Sequence, residues 1–141
     1  MQLEASASAV SVILHWVLAL VLVFAGLSKL RTAGWTQFRS SVQRLTRLPA
    51  RWADLAAVAV LCTEPIVAIL LISRYPAASV GPIAFIGLMT SFTVVVIFAI
   101  ARGESASCAC FGRHGTTPVG PAIIVRNLFL VGIAGLALLT G

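Results

Sequence analysis

Residues 80–101 read VGPIAFIGLMTSFTVVVIFAIA, 22 positions without an Asp, Glu, Lys, Arg or His, and Arg102–Gly103–Glu104 follows at once. At about 1.5 Å per residue a helix of this length reaches about 33 Å, enough for the roughly 30 Å hydrocarbon core of a bilayer. The strands of an outer-membrane barrel alternate apolar and polar positions over about ten residues. This run does not alternate, so it reads as a membrane-spanning helix.

Three further runs lie to either side, at 9–27, 55–72 and 119–139, each about the length that spans a bilayer. Lys29 and Arg31 close the first, and Arg74–Tyr75–Pro76 closes the second. With 60% hydrophobic and 10% charged residues, the chain lacks the charged side chains that a soluble domain uses to cover itself. The fold class expected is all-α: an integral membrane four-helix bundle forming a single domain over residues 1–141. A secretory signal would carry a basic segment ahead of a shorter apolar core. Here Glu4 precedes the first run and no Lys or Arg does, so a retained helix is expected.

The basic residues orient the bundle. Lys29, Arg31, Arg39, Arg44, Arg47, Arg51, Arg102, Arg113 and Arg126 fall in or beside the loops 28–54 and 102–118, and Arg74 alone falls on the other side. The positive-inside rule then makes both loops cytoplasmic. The net charge of +6 reads as a topology device that meets anionic lipid, not as a nucleic-acid surface. Within the first loop, Trp35, Phe38, Val42, Leu45 and Leu48 recur at helical spacing with Arg39, Arg44 and Arg47 opposite. That pattern predicts an interfacial amphipathic helix between spans one and two, stopped by Pro49.

Cys108–Ala109–Cys110–Phe111–Gly112 sits in the second basic loop. Two cysteines one residue apart close a small, strained disulfide ring, the readily reduced kind. Arg102, Arg113 and His114 favour the reactive thiolate. The same residues also admit plain loop thiols or a soft metal site. Cys108, Cys110 and His114 are three ligands where a closed structural zinc site needs four, so no metal is assigned. Cys62, inside the second span, reads as a small packing residue or a relay. Glu64 lies at membrane depth, where a carboxyl needs a partner or a cavity. His15, also counted near mid-membrane, is the partner expected, either as a polar staple between helices or as a proton or ligand site. Pro65 would loosen the helix beside it. Gly26, Gly87, Gly132 and Gly135, with Ala25, Ala57 and Ala134, are expected to let helices approach closely.

Gly26–Leu27–Ser28–Lys29–Leu30, Glu64, Arg102–Gly103, Cys108–Ala109–Cys110–Phe111–Gly112 and Arg126–Asn127 together resemble the MauE family of methylamine utilisation proteins, a branch of the DoxX-like four-helix membrane proteins. The resemblance implies a redox-associated protein of the bacterial inner membrane that helps a disulfide-rich periplasmic dehydrogenase subunit mature together with a thioredoxin-like partner, MauD. On that reading Cys108 and Cys110 are the redox pair, Arg113 and His114 tune them, and Glu64 with His15 forms an intramembrane polar pair. A single close cysteine pair cannot relay electrons alone, so a partner or a quinone would complete the path. The alternative is a non-catalytic membrane assembly or metal-handling factor.

Overall fold

The computed structural model describes residues 2–73, 77–103 and 120–140. They form five helices: α1 (Gln2–Leu30), α2 (Thr32–Thr46), α3 (Ala50–Ser73), α4 (Val80–Ala101) and α5 (Pro121–Thr140). Four of them, α1, α3, α4 and α5, are long and apolar enough to cross a membrane. They correspond to the four runs of the sequence, and the fold is the all-helical membrane bundle expected.

The bundle is built with its large residues outward. Phe24, Leu20, Ile69, Phe98, Phe129 and Leu139 are exposed, whereas the inner faces are lined by Ala19, Ala25, Ala53, Ala57, Ala99 and Ala134. In lipid no hydrophobic gain drives helices together, so association rests on close packing, which small inward residues permit. Leu18, Leu22, Leu71, Phe85 and Met89 fill the centre of the four-helix contact. At Gly81 a Cβ would come within 2.9 Å of the Leu71 backbone, so α4 leans directly on α3 there. Ala25, Ala57 and Ala134 are buried as expected, whereas Gly87, Gly132 and Gly135 face open space. Those three glycines are not contact points between helices.

Local sequence sets the helix ends. Pro121 opens α5 and Pro82 lies in the first turn of α4, positions whose N–H has no helical acceptor in any case. Pro65 is accommodated inside α3, which continues to Ser73. The amphipathic helix ends at Thr46, ahead of Pro49, because Arg47 turns left-handed (φ 53°) and its N–H returns to the Gln43 carbonyl at 2.9 Å. Leu48 therefore lies outside the helix and is exposed.

The seat of α2 decides where the site lies. Its buried face is Gly34, Phe38, Ser41 and Leu45, spaced one helical turn apart, and it packs along α3 and α4. Leu45 joins Val96, Ala99 and Ile123 in a small cluster, Arg39 pairs with Asp54, and Arg102 donates to the Leu45 carbonyl. A Cβ at Gly34 would strike the Ser28 carbonyl, so a side chain there would push α2 off the end of α1. Helix α1 thus covers one half of α3, and α2, folded back, covers the other.

Candidate functional site

Lys29, in the last turn of α1, is completely buried, and Glu64 of α3 is 2% exposed. Lys29 Nζ donates to Glu64 Oε1. Two rings close over the ammonium: Phe38 of α2, with its centroid 4.6 Å from Nζ, and Phe92 of α4, at 5.8 Å. Taking either ion out of water costs several kcal/mol, and the pair is tolerable only because each offsets the other. Aromatic faces add attraction for the cation, about 0.5–2 kcal/mol when desolvated. Beyond the two rings, α2 stands off α3 and α4 to leave an apolar groove of about 180 Å³ lined by Phe38, Val42, Leu45, Val60, Phe92 and Val96.

This geometry corrects the expected pairing. His15 and Glu64 are not partners. His15 lies 14 residues before Lys29 in the same helix, about 21 Å along its axis. Counting along the apolar runs set both residues at mid-membrane, but α1 stops at Leu30 where α2 takes over, which slides its register along α3. His15 is buried at the opposite end of the bundle, with Nδ1 2.7 Å from the Ser11 carbonyl and Nε2 3.0 Å from the Ala78 carbonyl. Both neighbours are acceptors. A neutral imidazole has one N–H and satisfies one of them, whereas the imidazolium satisfies both. Either way, His15 ties α1 to the residues ahead of α4.

The other site residues divide in two. Cys62 is exposed on the outer face of α3, two positions from Glu64 but on the opposite side, so it is not a packing residue of the bundle interior. Cys108, Cys110, Arg113 and His114 lie outside the described residues.

A second polar link was not anticipated. Asn127 of α5 donates through Nδ2 to Thr93 Oγ1 of α4 at 3.2 Å, and Thr93 donates to the Met89 carbonyl at 2.8 Å. Arg126 Nη2 reaches Asn127 Oδ1 at 3.4 Å. Lys29 was missed because a cation closing a span reads as a topology signal. Two signals pointed to it: the chain has one lysine among nine arginines, and a carboxyl at the depth of Glu64 calls for an opposite charge.

A multi-pass helical membrane protein with a buried Lys–Glu pair roofed by an amphipathic helix is the class that fold and site define. The sequence profile of the family described as methylamine utilisation protein MauE matches residues 7–140. The methylamine utilization protein MauE of Paracoccus denitrificans is 32% identical over 125 residues, covering 88% of this chain and 65% of that protein. No solved structure matches. The chain belongs to the MauE family, and it spans about 65% of the length of this curated relative.

Proposed function

We propose that this MauE-family protein assists thiol–disulfide exchange during maturation of a partner, with Cys108 and Cys110 as the exchanging pair. The observation that carries the reading is the Cys108–Ala109–Cys110 spacing beside Arg102, Arg113 and His114. The segment that holds the pair joins α4 to α5, and Ala99 and Ile123, near its two ends, pack together with Leu45 at the α2 end of the bundle. The described residues on either side of the pair therefore lie at the same end of the bundle. The basic residues at this end support a cytoplasmic face for it. Methylamine utilisation, the role named for the relative, is the setting proposed for the client.

The exchange balances with a dithiol and a disulfide. One thiolate attacks a sulfur of the partner's disulfide, forming a mixed disulfide and releasing the partner's other sulfur as a thiolate. The neighbouring cysteine then displaces the partner. Cys108 and Cys110 are oxidised to a disulfide, and the partner gains two electrons and two protons as a dithiol. A thioredoxin-like protein has the chemistry to be that partner.

Trapping tests the reading. With Cys108→Ser and Cys110→Ser made separately, the variant that lacks the resolving thiol accumulates a covalent complex with a thioredoxin-like partner, and the double variant does not. If neither single variant traps a partner and the wild-type thiols stay fully alkylatable under oxidising and reducing conditions, the exchange role is wrong. Loss of trapping in Cys62→Ser would bring Cys62 into the relay.

A further inference from the structure

We propose that Glu64 Oε2 is an acceptor site open to the lipid through the seam between α1 and α3 at Gly26, where it takes a hydrogen bond or a proton from a small, membrane-dissolved O–H donor. The inference stands apart from the cysteine chemistry. It begins with an imbalance within one carboxylate. Oε1 is satisfied by Lys29, whereas the buried Oε2 has no hydrogen-bond partner among the described residues. Inside a bilayer no bulk water compensates such an atom, and an unmet buried acceptor is costly.

The wall over that oxygen is unusually thin. A Cβ built on Gly26 would lie 3.6 Å from Oε2 and, the adjoining backbone of α1 aside, would meet no other atom of the described residues within 4 Å. Gly26 is half-buried and sits among the exposed Val23, Leu27 and Leu30 of α1. Beside this row of lipid-facing side chains, α1 therefore covers Oε2 with bare backbone. The other side of the carboxylate is closed, because Lys29, the titratable group facing it, is itself enclosed by Phe38 and Phe92.

The charge at the site selects the class of ligand. The Lys29–Glu64 pair is neutral as a whole, so a neutral donor enters without adding net charge to the membrane interior. A cation would meet Lys29 and an anion would meet Glu64. A hydroxyl on an apolar frame supplies the missing bond to Oε2, and one acidic enough transfers its proton to the carboxylate.

Dicyclohexylcarbodiimide, a lipid-soluble reagent for protonated carboxyls, probes both access and proton exchange. The acid's proton moves to a carbodiimide nitrogen and the carboxylate oxygen bonds the central carbon. The adduct then rearranges to a stable acylurea without a leaving group. With the full-length protein in lipid nanodiscs, mass spectrometry is expected to place an adduct on Glu64, and a water-soluble carbodiimide is expected to leave Glu64 unmodified. Gly26→Val fills the seam and is expected to slow labelling about tenfold, with Gly26→Ala intermediate. Lys29→Gln removes the counter-charge, favours the neutral acid and speeds labelling. Absence of a Glu64 adduct in inserted protein overturns the proposal. So does labelling of both Gly26 variants at the parent rate.

Discussion

The two ends of the bundle bury polar groups in opposite ways. At one end His15 is held by the backbone carbonyls of Ser11 and Ala78, within the seam of a single helix and the turn ahead of α4. At the other, Lys29 and Glu64 meet side chain to side chain beneath Phe38 and Phe92, and an additional helix is needed to cover them. Backbone carbonyls are present in any fold, so the His15 contact asks little of the rest of the structure. An ion pair at membrane depth asks for a matched partner and a roof. The first arrangement is a staple. The second is a built site, and α2 is the part of the chain that makes it possible.

The comparison predicts a ranking of effects. Glu64→Leu or Lys29→Met alone should have the largest, because each strands the opposite charge; about 3–5 kcal/mol of stability is lost. Denaturant unfolding in a lipid mimetic measures it, and a loss under 1 kcal/mol for either would remove the distinction between the two ends. His15→Phe should rank next. It forfeits the tie to Ala78 at about 1–3 kcal/mol, the range for an abandoned buried hydrogen bond. A loss equal to that of Glu64→Leu would make the staple as demanding as the site. Smallest is Arg39→Ala or Asp54→Ala, which opens the pair joining α2 to α3. Both side chains are substantially exposed, so solvent screening holds the effect below about 1 kcal/mol. Added salt should erase that difference, and a salt-independent loss would show α2 held mainly by this pair.

The spans were legible because lipid exposes what hydropathy measures. Val80–Ala101 was expected and found without change. The starts of α1 and α3 were not, because Gln2–Ser8 and Ala50–Asp54 are helical without being apolar. Phe38 and Leu45 on the inner face of α2 followed from their spacing, whereas Gly34 and Ser41 are buried for their small size, which a hydrophobic pattern does not register. The depth of Glu64 revealed that a polar site exists. Its partner was misassigned to His15 because the register between helices depends on α2 folding back over the end of α1, a tertiary event that spacing within one helix does not encode. Lys29 closes the first span, where a cation reads as a signal of orientation.

The most direct test of the central claim is the coupling between Lys29 and Glu64. Lys29→Met, Glu64→Leu and the double variant are unfolded in the same lipid mimetic and compared with the parent. The account predicts that each single variant loses about 3–5 kcal/mol and that the double variant recovers most of the loss, since two apolar side chains of similar size leave no buried charge unpaired. Losses that simply add in the double variant would contradict it, and would mean that the two residues do not form a pair in the folded membrane protein.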